Sequence, residues 1–242
     1  MSLRGIYGRL ARGAWARLGP DERRRLTRLL HPVRLPNSRR TRRVSERYGS
    51  ERGRPVDRYY IERFLAAHRE DIHGSVLEIK DSAYTRRFGP TDVQAHVLDI
   101  DGSNHEATMI GDLGAPSGLA ASGFDCVILT QTLQYLPDVR QGIVNVHRAL
   151  KPGGVLLATM PAIAPLDSLE TDLWRFTVAS TRAVFEPVFG SERIDVRAHG
   201  NVLVAIAFLL GLAREELSRG ELDDDDPHVP VIVTVRAVRG ST

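Results

Sequence analysis

Cysteine is almost absent from this chain: Cys126 stands alone among 242 residues, which excludes an internal disulfide framework and a cysteine-built zinc site. Long apolar runs are absent too. The most apolar stretch, residues 202–212, is too short for the ~20 residues that a membrane-crossing helix needs. The first residues carry arginines throughout and lack the apolar segment of a secretory leader. A cytoplasmic location is the expectation. Lysine is scarce as well, with only Lys80 and Lys151 among 33 basic residues, a bias that reflects coding composition as much as chemistry.

What is present suffices for one large domain with a sizeable core, since 42% of the residues are hydrophobic. The net charge of +3 hides an asymmetry. Residues 1–54 hold 16 arginines and four acids (Asp21, Glu22, Glu46, Glu51), so that segment carries +12 and the remainder −9.

Along the chain, Leu3, Tyr7, Leu10, Ala14 and Leu18 recur at helical spacing among arginines, which predicts a basic amphipathic helix over residues 2–18. Pro20-Asp21-Glu22 starts a second short helix with Leu26, Leu29 and Leu30 on its apolar side. Residues 37–54 are polar, arginine-rich and broken by Gly49 and Gly53, the pattern of a linker or an arm lying on a surface. From residue 55 the character changes. A helix is predicted over residues 56–68, then strands at 76–79, 95–100 and 124–129, with a weaker one at 107–110. A helix over 138–150 leads through Lys151-Pro152-Gly153-Gly154 into a strand at 155–159. Strands near 193–198 and 229–238 flank a helix over 202–218. Strands alternating with helices imply a parallel sheet covered on both faces, and the late hairpin-like pair adds an antiparallel edge. The expected fold is α/β: a Rossmann-like, mostly parallel sheet with an antiparallel edge strand and an N-terminal helical extension. Asp223–Asp226 reads as a solvated loop and not as a metal site, because adjacent aspartates rarely converge on one ion.

In such sheets ligands gather at the carboxyl ends of the strands, where the strand order reverses. Asp101 follows the second strand, and a carboxylate there can accept both hydroxyl protons of a ribose. An Asx-turn aspartate is the structural alternative at that spacing. Asp112, in Ile110-Gly111-Asp112-Leu113, follows the weak strand and suits an adenine amino group.

Taken in order, these segments resemble a family. Val76-Leu77-Glu78-Ile79, Asp101, Gly111-Asp112-Leu113, Phe124-Asp125-Cys126-Val127-Ile128, Leu133-Gln134-Tyr135-Leu136-Pro137-Asp138 and Leu150-Lys151-Pro152-Gly153-Gly154 together look like a class I S-adenosylmethionine (SAM)-dependent methyltransferase. With Arg58-Tyr59-Tyr60-Ile61-Glu62 before the first strand and Trp174-Arg175-Phe176-Thr177 after the fifth, the chain resembles more narrowly the methyltransferase type 11-like group found beside glycosyltransferases and in polysaccharide or secondary-metabolite pathways. The resemblance covers residues 49–239 and divides the chain into a basic helical arm, 1–54, and a methyltransferase-like domain, 55–242. One segment departs from the pattern. The family's first loop, Glu-h-Gly-x-Gly-x-Gly with h apolar, reads here Glu78-Ile79-Lys80-Asp81-Ser82-Ala83-Tyr84, without a glycine. A β-carbon restricts the left-handed backbone and fills space. Either the loop takes another path, with Asp81 or Ser82 serving the methionyl group, or SAM binding is weakened or lost.

The resemblance implies SAM as cofactor, with Glu78, Ile79, Lys80, Asp81 and Ser82 at its methionyl end, Asp101 at the ribose, Gly111, Asp112 and Leu113 at the adenine, and Thr130 beside the sulfonium. Gln134 and Tyr135 are the candidate catalytic contacts to an acceptor hydroxyl. Tyr59 and Tyr60 are candidates to cap the site, and Trp174 and Arg175 to line it for a hydroxylated ring; plain packing is the alternative for all four. His147 reads as structural and His199 stays open. The implied activity is methyl transfer to a small-molecule, sugar or glycan hydroxyl, the alternative being a methyltransferase-fold scaffold or regulatory subunit without catalysis. The basic arm suits docking on an acidic protein surface first and an anionic membrane surface second. Nucleic acid ranks last, because the arm lacks interleaved aromatics for base stacking. Residues 202–212 suit a core helix and leave a homodimer contact open.

Overall fold

The structure, a computed structural model, describes residues 18–32, 40–116, 119 and 123–241. The basic helix expected over residues 2–18 lies outside the described residues but for Leu18. The second helix, α1 (Pro20–Leu30), starts where the Pro-Asp-Glu signal puts it, with Glu22 Oε2 accepting from the Gly19 N–H at 2.9 Å.

Seven strands form one sheet: β1 (Ser75–Ile79), β2 (Gln94–Asp99), β3 (Met109–Ile110), β4 (Phe124–Thr130), β5 (Leu150–Pro161), β6 (Ile194–His199) and β7 (Ile232–Val238). Their order is β3-β2-β1-β4-β5-β7-β6. The first five pair in parallel, whereas β7 runs antiparallel to both β5 and β6 and separates them. The central strands are apolar on both faces, as a doubly covered parallel sheet requires. Val76, Cys126, Ile128, Val155 and Leu157 pack under Ile61, Phe64 and Leu65 of α2 (Asp57–Ala67). Their neighbours Leu77, Val127, Leu129, Leu156 and Ala158 face the other way, onto α4 (Val139–Ala149) and α5 (Val178–Phe189). A short α3 (Ala83–Phe88) follows β1 directly.

The helix expected over 202–218 is shorter. The helix α6 (Val202–Leu210) stops at Gly211, whose φ of +74° is left-handed, and a 3₁₀ turn (Arg214–Glu216) and α7 (Arg219–Asp223) follow. Glycine is required there, since a β-carbon would lie 2.5 Å from the Ser45 carbonyl oxygen. That contact comes from the segment ahead of α2, which packs into the domain. Val44 and Ser45 donate their N–H groups to the Leu210 carbonyl. Tyr48 packs on Phe208, and the buried Arg52 guanidinium grips Glu216 at 2.9 and 2.5 Å.

Candidate functional site

The strand order reverses between β1 and β4, so their carboxyl ends flank the crevice where open α/β sheets bind ligands. The residue just past each strand is not glycine, yet both take left-handed backbone: Lys80 at φ +75° and Gln131 at φ +49°. Ladder bonds hold them there. The Lys80 N–H donates to the Leu98 carbonyl at 3.0 Å, and the Gln131 N–H to the Thr159 carbonyl at 2.9 Å. A non-glycine in this region costs on the order of 1–3 kcal/mol, and such residues cluster at binding sites.

The loop after β1 builds the start of α3. Glu78 is buried, and its carboxylate accepts from the Tyr84 N–H (3.1 Å), the Thr85 N–H (2.8 Å) and the Thr85 hydroxyl (2.8 Å). Burial pushes its carboxyl above the usual range, against those bonds. Asp81 accepts from the Ala83 N–H at 2.8 Å, and the buried Ser82 hydroxyl accepts from Arg86 at 2.6 Å. Ile79 packs against the core, and the exposed Lys80 turns its carbonyl to Asn104.

At the end of β2 a second acid, Asp99, joins the expected one. Asn104 Nδ2 bridges the Lys80 carbonyl and Asp99 Oδ2, both at 2.6 Å, and so ties the ends of β1 and β2. The Asp101 N–H and the Asn104 amide hold the Asp99 carboxyl below its ordinary value. Asp101 is exposed, and its Oδ1 accepts from the Ser103 N–H (2.9 Å) and hydroxyl (2.8 Å) in an Asx turn. Those bonds depress its carboxyl too and leave Oδ2 open to a ligand. After β3, Gly111 donates to the Asp99 carbonyl, Asp112 is exposed with Oδ1 on the Gly114 N–H, and the Leu113 side chain is in the core.

At the end of β4, Thr130 is half-buried and pairs in register with Thr159. The buried Gln134 donates Nε2–H to the Gln131 carbonyl at 3.0 Å, and its Oε1 has no hydrogen-bond partner. A buried acceptor left unpaired is costly and marks a place for a donor. Next to it, Tyr135 donates to Asp167 Oδ2, and Tyr48 donates to Asp167 Oδ1, each at 3.2 Å. Burial and then the Asp167 charge push the Tyr135 phenol up to about 12 and raise Tyr48 as well. The indole face of Trp174 is exposed beside this cluster, its Nε1–H donating to the Leu136 carbonyl at 2.8 Å.

Three of the candidate side chains sit elsewhere or are engaged. Tyr60 is only 2% exposed, donates to the Leu222 carbonyl and stacks on His199, as a core residue does. Tyr59 donates to Asp223 on α7, away from the crevice. Arg175 makes a bidentate pair with Asp172 (2.6 and 2.9 Å) and donates to the carbonyls of Ala164, Pro165 and Trp174, so it fastens the loop after β5. His147 packs edge-on against Phe189. His199 lies between Asp225 and Thr234 at the end of β6.

Sequence reasoning missed Tyr48, Asp99, Asn104, Gln131 and Asp167. Tyr48 and Asp167 meet across 119 positions of chain, and no local pattern signals such a pair.

Residues 82–158, from the foot of α3 to β5, match the family model described as a methyltransferase domain. An uncharacterized protein of Escherichia coli (strain K12), YafE, is 32% identical over 97 residues, 38% of this chain and 46% of that protein. The chain thus spans about half the length of the curated relative it matches. Among solved structures, a SAM-dependent methyltransferase from Archaeoglobus fulgidus superposes with a TM-score of 0.50 at 13% identity, covering 75% of this chain and 94% of that one. Haemonchus contortus phosphoethanolamine N-methyltransferase 2, solved with phosphomonomethylethanolamine and S-adenosylhomocysteine, gives 0.50 at 14% identity over 74% and 52%. The fold is that of the class I methyltransferases. The positive-φ pair of Lys80 and Gln131 directly follows the two strands between which the strand order of this fold reverses.

Proposed function

We propose that this chain is a SAM-dependent methyltransferase acting on a hydroxyl of a small molecule, sugar or glycan. Two observations carry the reading: the left-handed backbone at Lys80 past β1, and the unpaired, buried Gln134 Oε1 past β4. The first keeps the turn that glycine would make, despite the side chain. The second is a buried acceptor without a donor in the turn that follows β4. The exposed Asp101 Oδ2 suits a ribose hydroxyl, and Asp112 an adenine amino group. When bound, SAM supplies an electrophilic methyl group on a sulfonium.

On the acceptor side Asp167 receives the hydroxyl proton, with Tyr48 and Tyr135 orienting its two oxygens. Gln134 accepts a hydrogen bond from the donor or the acceptor, and the open face of Trp174 suits a hydroxylated ring. Proximity and orientation do most of the work in such a transfer, so a weak base suffices. The domain takes in residues 44–54 of the arm, because Tyr48 belongs to the acceptor cluster.

Methyl-labelled SAM, incubated with a panel of hydroxylated sugars and phenols, tests the reading. Label transfer that falls in Asp167→Asn supports it. Saturable binding of S-adenosylhomocysteine without transfer to any hydroxyl would overturn the hydroxyl assignment.

A second reading is a scaffold or regulatory subunit without catalysis. It is favoured by Glu78, whose carboxylate is fully engaged by α3, and by the cation of Lys80 at the crevice. Retention of the biological role in Asp101→Ala would support it.

A further inference from the structure

On the opposite side of α2 from the core, the guanidiniums of four arginines gather around a hollow of about 530 Å³ also lined by Glu62, Glu215, Tyr59, Phe88 and Leu217. Two carboxylates organise them. Arg87 grips Glu62 bidentately at 2.7 and 3.0 Å, while Arg54 and Arg214 both reach the same Glu62 Oε2 at 3.4 Å. Arg63 and Arg219 share Asp223, at 2.7 and 3.3 Å, with the Tyr59 hydroxyl. Even with Glu215, which lies 3.9 Å from Arg214, the carboxylates fall one charge short of the four arginines that line the hollow. One oxygen cannot satisfy three guanidiniums. Each guanidinium carries five N–H donors, most of which remain unused here.

Guanidinium forks match phosphate oxygens in a bidentate manner and do so better than ammonium groups. The hollow lies within the size range of small-molecule sites, far larger than a phosphate alone. Its floor, with Phe88, Leu217 and the Tyr59 ring, suits an apolar or ring-shaped remainder. We infer that this hollow binds a soluble organic phosphate, a phosphoryl or diphosphate group on the arginine rim with its ring or apolar part on the floor. The site shares no residue with the methyl-donor crevice and does not depend on the reading proposed for it.

Calorimetric titration of the full chain at constant ionic strength tests the inference, using inorganic pyrophosphate, uridine diphosphate and uridine. Pyrophosphate and uridine diphosphate are expected to bind saturably and uridine not. Arg63→Gln/Arg219→Gln, a change at two exposed side chains, is expected to weaken uridine diphosphate by about tenfold or more. S-adenosylhomocysteine binding should stay unchanged in that variant, which separates this site from the crevice. Three results would overturn the inference: no binding of either anion, equal binding by wild type and double variant, or sedimentation with phosphatidylglycerol vesicles while both soluble anions fail.

Discussion

Lys80 and Gln131 stand at the carboxyl ends of the neighbouring strands β1 and β4, and both hold left-handed backbone without being glycine. The turn past β1 takes a glycine-like φ although its sequence, Lys80-Asp81-Ser82-Ala83, holds no glycine.

Strain at Lys80 can be relieved. Lys80→Gly should stabilise the fold by about 1 kcal/mol, the reverse of the usual effect of glycine, because the native φ favours it. Lys80→Ala keeps the strain and should gain nothing. Urea denaturation of the two variants checks this; equal stabilities would mean that φ at position 80 is not strained.

The two phenols on Asp167 have a pH signature. Tyr135 is raised to about 12 and Tyr48 is raised too. A raised pKa in the folded state contributes stability below the unfolded value of about 10, lost as pH climbs through the folded one. Tyr59, Tyr60 and Tyr84 are raised as well, so ultraviolet difference titration should find both Tyr48 and Tyr135 among the tyrosines silent at pH 10, and stability should fall between pH 10 and 12. Asp167→Asn should return both toward the ordinary value and slow methyl transfer by about 100-fold.

The Asp172–Arg175 pair fastens the loop that carries Trp174. Burial works to raise the Asp172 carboxyl, but the Arg175 hydrogen bonds outweigh it and hold it below the usual range. Its contribution is therefore present above pH ~4 and lost on acidification. Arg175→Ala should cost about 1–2 kcal/mol at neutral pH, since it leaves the Asp172 carboxylate with only the Asp167 N–H as a partner, and Arg175→Lys should not restore the bidentate pair. Chemical denaturation at pH 7 and pH 3 measures both values, with the difference from wild type shrinking at the lower pH.

Gly211 sets where α6 ends and where the arm attaches. Gly211→Ala should destabilise by about 2 kcal/mol or more, from a left-handed φ and a β-carbon 2.5 Å from the Ser45 carbonyl oxygen. Thermal unfolding reads the loss; an unchanged melting point would mean that residues 44–54 do not pack as described.

Much of the sheet was legible because its code is local. Val76-Leu77, Cys126-Val127-Ile128 and Val155-Leu156-Leu157 are apolar on both faces, and that pattern belongs to central parallel strands. The end of α6 was not legible, since Gly211 stops the helix only in concert with Ser45, far off in sequence. Asp101 and Gln134 were proposed from their place after a strand, and the structure puts both past the carboxyl ends of β2 and β4. Asn104 and Asp99 were missed because their role is a bridge between two loops. The cluster around Asp167 was half legible: Tyr135 and Trp174 follow strands, but Tyr48 lies in a segment that composition marks as an arm.

The central claim is that the crevice beside Lys80 holds an adenosyl donor, and calorimetric titration with S-adenosylhomocysteine tests it most directly. A single saturable site is predicted, with a dissociation constant in the micromolar range usual for enzyme ligands, tightened in Lys80→Gly and weakened about tenfold in Asp101→Ala. Absence of heat together with absence of thermal stabilisation, in wild type and in Lys80→Gly alike, would contradict the account.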